Sequence, residues 1–307
     1  MKKRLAVALA VVVVLAVVLY FVLPGLLVKW AGDKERKAAG LAEKNLRMGE
    51  FEIAYLEGGQ GTPILMVHGF AANKDNWPRF CKFITPAYHA VALDLPGFGN
   101  STFVQNASYG MEDQAKRLDQ FVTVAGLKKF HIVGNSMGGH ISARYAIMFP
   151  EKVITLGLFD SGGVKSPKPS EMDLRLSKGE PNPLIATSAD QFDRLLKFVF
   201  FEPPEIPWIA RNYLVQEAIS YSARNASIRR QMSPELGALE PDLSKIKART
   251  LVLWGANDRV TDVSAVQVFK KRIPDCSTVI MKDCGHLPMI ERPEEAAGHY
   301  LQFLKGR

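Results

Sequence analysis

The sequence predicts an α/β protein: a mostly parallel, doubly wound sheet with an inserted helical cap, preceded by one N-terminal transmembrane helix. Three observations lead there. Residues 5–23 are 19 consecutive apolar residues. From residue 50 onward, short β-rich runs alternate with amphipathic helical patterns, as strand–helix–strand units do. Residues 162–240 interrupt that alternation with eight prolines among helical pieces, after which it resumes.

Composition bounds the function. The chain has 307 residues, 47% of them hydrophobic, and a formal charge of +8. That charge is unevenly spread. Residues 1–47 carry nine Lys/Arg against three Asp/Glu, whereas the remaining 260 residues carry 30 against 28. A nearly neutral body argues against nucleic acid as a partner, since a phosphate-binding face needs clustered Lys/Arg on the domain itself. The apolar content excludes a disordered chain.

The N-terminal run comes first. As a helix it rises about 28 Å, close to the ~30 Å hydrocarbon core of a bilayer. Tyr20 and Trp30 stand where an interfacial aromatic belt would lie. A cleaved signal peptide would have a shorter apolar core and a small-x-small site, and Lys29-Trp30 is a poor one. Residues 1–28 are therefore read as an uncleaved single-pass anchor in the cell (inner) membrane. Residues 29–49 are read as a juxtamembrane helical linker, because Asp33 with Lys37 and Glu43 with Arg47 are acid-to-base pairs at i,i+4. The positive charges flanking the span nearly balance. The four-residue tail ahead of it reads as a signal-anchor, which places the catalytic domain outside the cytoplasm. Ala6 and Ala10, small residues one turn apart, point to a homodimer through the anchor. Cys81, Cys276 and Cys284 are odd in number and without pattern, so they predict neither a disulfide framework nor a metal site.

The body follows in order. Residues 51–56 and 64–67 read as strands, 77–84 as a helix and 90–95 as a strand. Residues 111–125 form an amphipathic helix with Leu118, Phe121 and Val122 on one face. Residues 130–133 are a buried strand, 137–149 a helix stopped by Pro150, and Val153–Phe159 a strand. Residues 162–240 are the cap. Within it Phe192, Phe198, Phe200, Phe201, Trp208 and Tyr213 crowd together, some expected to pack its core and others to line an apolar tunnel. Strands at 250–254 and 278–281 flank a helix at 263–272, and Pro293 begins the last helix. The core is thus 50–161 and 241–307.

The chemistry concentrates at Gly134-Asn135-Ser136-Met137-Gly138. A bare G-x-S-x-G is weak, but here it follows a buried strand and opens a helix, a strand–turn–helix that presents the serine above the sheet. A serine at pH 7 needs a base. His286, in the loop leaving the last strand, has the right placing, which His68, His89, His131, His140 and His299 lack. Asp258, three residues past a strand end, is read as the acid that orients it. Asp160, ending the preceding strand, is the rival, while Asp262 reads as a helix start. The order Ser136, Asp258, His286 is one that recurs in serine hydrolases. Backbone N–H groups of Phe70, after the strand at 64–67, and of Met137 are the expected oxyanion donors. His68 and Asp94 are read as supports of their loops.

With these residues in hand, the chain resembles the α/β-hydrolase superfamily over roughly residues 50–307. Five motifs in order carry the likeness: His68-Gly69-Phe70, Asp94 to Gly99, Gly134 to Gly139, Asp258, and Gly285-His286. Within it the chain resembles membrane-anchored monoacylglycerol lipases of the α/β-hydrolase domain 6 type, cold-active bacterial lipases and single-span bacterial phospholipases A. The run from His68 to Trp77 and the Gly-Asn-Ser-Met-Gly-Gly elbow carry that closer likeness. The resemblance implies an α/β-hydrolase fold and ester hydrolysis of membrane glycerolipids with no cofactor or metal. A similar elbow occurs in carbon–carbon bond hydrolases, though these usually carry a Gly-rich loop where Phe70-Ala71-Ala72 stands here. The same residues are also compatible with a tethered esterase of soluble short-chain esters, or with a catalytically silent binding protein of this fold.

Overall fold

The computed structural model describes Lys3, Arg4, Ala6, Val7, Leu9, Ala10, Val13 and residues 22–306. Most of the predicted span at 5–23 lies outside the described residues. Among the described residues no helix is long and apolar enough to cross a membrane.

Eight strands form one sheet: β1 (Leu41–Met48), β2 (Phe51–Gly58), β3 (Pro63–Val67), β4 (His89–Leu93), β5 (Phe130–Asn135), β6 (Val153–Phe159), β7 (Arg249–Gly255) and β8 (Cys276–Met281). Their spatial order is β1-β2-β4-β3-β5-β6-β7-β8. The β1–β2 and β2–β4 pairs are antiparallel and the other pairs parallel. From β3 the chain goes one way to β4 and then returns to the other side as β5. That reversal is a topological switch point, and it opens a crevice at the carboxyl ends of β3 and β5.

Helix α1 (Leu23–Ala38) precedes the sheet, and α2 (Pro78–Ile84), α3 (Met111–Val124) and α4 (Met137–Met148) connect its first half. Three helices lie between β6 and β7: α5 (Glu171–Ser177), α6 (Ala189–Val199) and α7 (Trp208–Met232). Then come α8 (Ala265–Arg272), α9 (Pro288–Glu291) and α10 (Pro293–Leu304). From residue 50 onward, strand and helix bounds fall within two residues of those predicted from the pattern.

Alternation along each strand divides the core between two faces. On β3, Leu65 and Val67 join a cluster with Phe121, Tyr145 and Phe269 from α3, α4 and α8. Ile64 and Met66 face the other way, toward Trp77, Phe80 and Tyr300. There Phe80 meets Phe159 edge-on at 5.8 Å and Phe159 meets Tyr300 at 5.9 Å. Such pairs contribute about 0.5–1.5 kcal/mol each beyond their burial.

One expectation is corrected. The helical linker predicted over 29–49 ends early: residues 41–48 are strand β1, so the sheet starts before residue 50. Helix α1 stops at Ala39, and Gly40 follows at φ 65°, a conformation glycine supplies without strain. β1 is an edge strand, buried at Leu41 and Met48 and largely exposed between them, so its charges sit in solvent and mimic a helix surface. Glu43 finds its partners far away, on Arg36 at 2.6 Å and Lys74 at 3.0 Å. Gly49, at φ 58°, closes the tight β1–β2 hairpin. The aromatics at 192–213 divide as their exposure dictates. Phe192, Phe198 and Phe200 are buried, whereas Phe201, Trp208 and Tyr213 are exposed.

Candidate active site

β5 is buried along its whole length and ends at Asn135; α4 starts at Met137. Ser136 alone makes the turn between them, at φ 56° and ψ −119°. An L-residue holds that backbone only where its surroundings enforce it. The glycines on either side permit it. A Cβ on Gly134 would lie 2.2 Å from the Gly138 carbonyl oxygen, and one on Gly138 would lie 2.2 Å from that of Val67. Strand, elbow and helix therefore touch backbone to backbone. The loop after β3 comes equally close, for a Cβ on Gly69 would lie 3.3 Å from the Ser136 Cβ. Phe70, after β3, and Met137, opening α4, the expected oxyanion donors, line one cavity with the serine.

His286 stands in the loop after β8 and Asp258 in the loop after β7. His286 Nδ1 and Asp258 Oδ2 are 2.8 Å apart, both groups buried. Asp258 is held in turn: Oδ1 accepts from the Val260 N–H at 2.7 Å and the Thr261 N–H at 3.2 Å, and Oδ2 accepts from Thr261 Oγ1 at 2.6 Å. A carboxylate so fixed orients the imidazole and leaves its other nitrogen free to work.

Asp160, the sequence rival, sits behind this pair at φ 45°, fully buried. Its Oδ1 accepts from the Gly255 N–H at 2.8 Å. Burial, then the Asp258 charge, pushes its carboxyl well above the usual carboxylate range. Ligand atoms of Asp160, Asp258 and His286 lie within 4.8 Å of one another, close enough to surround a cation. The Asp258 oxygens already accept four hydrogen bonds, and Asp160 Oδ2 has no hydrogen-bond partner.

Two residues without an assigned role in the sequence hold the histidine loop. Asn135, next to the serine, donates from Nδ2 to the His286 carbonyl at 3.0 Å and to that of Phe159 at 3.2 Å. Glu291 accepts from the N–H groups of Gly285 at 3.0 Å and Phe201 at 2.7 Å. The His286 N–H adds a bond to the Val199 carbonyl at 2.8 Å. His286 is thereby stapled to the end of α6. Asn135 lies inside the elbow and was within reach of a sequence reading; nothing in the spacing marked Glu291.

His68 and Asp94 hold their loops. His68 Nε2 accepts from the Leu95 N–H at 3.0 Å, so Nδ1 carries the proton and donates to the Gly69 carbonyl at 2.7 Å. Asp94 Oδ1 accepts from the Lys74 N–H at 2.6 Å and Oδ2 from Lys74 Nζ at 3.0 Å. Arg36 of α1 grips Asp75 with two bonds, at 2.7 and 2.6 Å. The segment after Phe70 is therefore clamped from β4 and from α1.

Ser136 lies where two cavities meet. The larger, about 260 Å³, is lined by Phe70, Leu195, Leu196, Phe200 and His286. The smaller, about 80 Å³, is lined by Phe70, Met137, His140, Arg229 and Met232.

Residues 64–298 match the family model described as the alpha/beta hydrolase family. The chain belongs to that family. Among its relatives, a bacterial lipase from Psychrobacter immobilis named "Lipase 1" is 35% identical over 88% of this chain and 86% of its own length. "Monoacylglycerol lipase abhd6-A" of Xenopus laevis is 32% identical over 95% of this chain and 90% of its own. A crystal structure described as a membrane phospholipase A, a novel bacterial virulence factor, is 46% identical, superposes with a TM-score of 0.94, and covers 100% of this chain and 99% of its own.

Proposed function

We propose that this carboxylic ester hydrolase is a membrane-tethered serine lipase that releases fatty acids from acyl glycerolipids, of the lipase, monoacylglycerol lipase or phospholipase A kind. The observation that carries the reading is the joint position of Ser136: at the elbow, lining one cavity together with His286 of the Asp258–His286 pair, and lining a second, largely apolar cavity as well. A lipid needs room on both sides of its scissile ester, and a small soluble ester does not.

The reaction follows from the groups present. Ser136 Oγ attacks the ester carbonyl while His286 Nε2 takes its proton, and Asp258 steadies the imidazolium. The N–H groups of Phe70 and Met137 receive the oxyanion; losing one such donor typically costs ~10²–10³ in rate. Collapse expels the glycerol oxygen, which leaves with the proton from His286. Water, deprotonated by His286, then attacks the acyl-serine and frees the fatty acid.

In this reading residues 162–240 act as a cap that shields the acyl chain, and the apolar run at 5–23 is the tether, leading straight into α1. The catalytic body then stands on the extracytoplasmic side. The relatives named lipase and membrane phospholipase A support the lipid-hydrolase reading and the association with a membrane, not the side. Titrating fatty acid released from monoacylglycerol and phospholipid micelles tests the function. The wild type should release it and Ser136→Ala should not; equal release by both refutes it. Protease treatment of intact cells and of spheroplasts tests the sidedness, which fails if the body is cut only after the inner membrane is opened.

A further inference from the structure

Several of the described arginines are paired with carboxylates. Arg36, Arg144, Arg211 and Arg292 each meet a carboxylate at 2.5–2.7 Å. Arg229, in the last turn of α7, meets none within 4.0 Å among the described residues, and its Nη1 is buried without a hydrogen-bond partner. His140, one turn along α4 from Ser136, is 1% exposed, and neither ring nitrogen has a partner. Both residues line the smaller cavity that Ser136 also lines, among Met111, Met172 and Met232.

Each is costly left alone. A guanidinium keeps its charge at any ordinary pH, and half-buried Arg229 has one nitrogen shut away from water with no partner, which is unfavourable. Burial, with a smaller push from Arg144, brings the His140 imidazole down to about 4. It is therefore neutral at pH 7 and offers one N–H donor and one acceptor. An unpaired cation and an unpaired donor in one apolar cavity beside a nucleophile call for an anion with several acceptor oxygens. Phosphate fits, because the guanidinium fork meets its oxygens two at a time.

We propose that Arg229 and His140 form the head-group subsite of this enzyme, taking the phosphate of a phospholipid or lysophospholipid whose acyl chain lies in the larger cavity. The proposal rests on the lipid reading above for the scissile ester, and on the unpaired groups for the anion. Glycerol spans the two cavities at Ser136, with the ester on one side and the phosphate on the other.

Two measurements on the full-length protein in detergent decide it. The first compares kcat/KM for oleoyl lysophosphatidylglycerol and for monooleoylglycerol, which share an acyl chain and differ in the phosphate. The ratio of the two should fall ~10- to 100-fold in Arg229→Met and partly recover in Arg229→Lys. An equal loss on both substrates, or an unchanged ratio, overturns the proposal. The second measures binding to the Ser136→Ala protein by titration calorimetry and needs no turnover. Arg229→Met in that background should weaken lysophosphatidylglycerol at least ~10-fold more than monooleoylglycerol. Equal affinities overturn the subsite even if hydrolysis is confirmed; differential binding without any Ser136-dependent hydrolysis keeps the subsite and refutes the lipase reading. Inorganic phosphate and oleate, titrated alone, separate the possible anions. Weakening by Arg229→Met confined to oleate would assign the subsite to a fatty-acid carboxylate and overturn the phosphate assignment.

Discussion

The histidine loop and the cavity under α7 treat their polar groups in opposite ways. In the loop, His286 is tied at Nδ1, at its N–H and at its carbonyl, to Asp258, Val199 and Asn135, and Glu291 holds the neighbouring Gly285. In the cavity, His140 and the Arg229 Nη1 are buried with nothing to bond. Both regions adjoin Ser136. The difference teaches which side is finished before substrate arrives. Chemistry needs a base held in one orientation, so its bonds are made within the protein. Recognition needs unsatisfied groups that a ligand can complete.

Breaking the finished side should cost most. Asp258→Asn leaves the shape and removes the acceptor for His286 Nδ1, so kcat should fall ~10⁴-fold, measured by steady-state ester hydrolysis. Asp160→Asn keeps an oxygen to accept from the Gly255 N–H and should stay within about tenfold of wild type. The reverse ranking would move the orienting role to Asp160. Glu291→Ala strands the N–H groups of Gly285 and Phe201 and should destabilise the fold by about 3 kcal/mol in urea unfolding, with a fall in kcat. Glu291→Gln keeps the acceptor oxygen and should recover most of both.

The open side should show itself through pH. The folded state holds His140 down to about 4, below the 6.5 of an unfolded chain. The unfolded chain then binds more protons between those values. The stability His140 contributes is full above pH 6.5 and is lost as pH falls through that window toward 4, up to about 3 kcal/mol. His140→Phe should flatten this part of the Tm–pH curve; an unchanged slope would show that another group carries it.

Much of this was legible in the amino-acid sequence because it is local. β3 to β8 announce themselves as short apolar runs between turns, and the elbow glycines mark Ser136. His286 and Asp258 follow from their places after strands. β1 was not legible: an exposed edge strand carries charges on its surface as a helix does, and Glu43 and Arg47 imitate a helical pair. Gly40 was the available signal that α1 stops. Glu291 and Arg229 were out of reach for a different reason. One matters for the distant backbone it collects, the other for the partner it lacks, and neither property has a spacing. His140 stands off the strand ends, and only its position beside the cavity gives it meaning.

The central claim is that Ser136 is the nucleophile of a lipid ester hydrolase. Labelling the full-length protein with a fluorophosphonate, digesting it and mapping the adduct by mass spectrometry tests this directly. The account predicts a single adduct on the peptide containing Ser136, lost in Ser136→Ala and greatly slowed in His286→Gln. An adduct on another residue, or ester hydrolysis that persists in fully labelled protein, would contradict it.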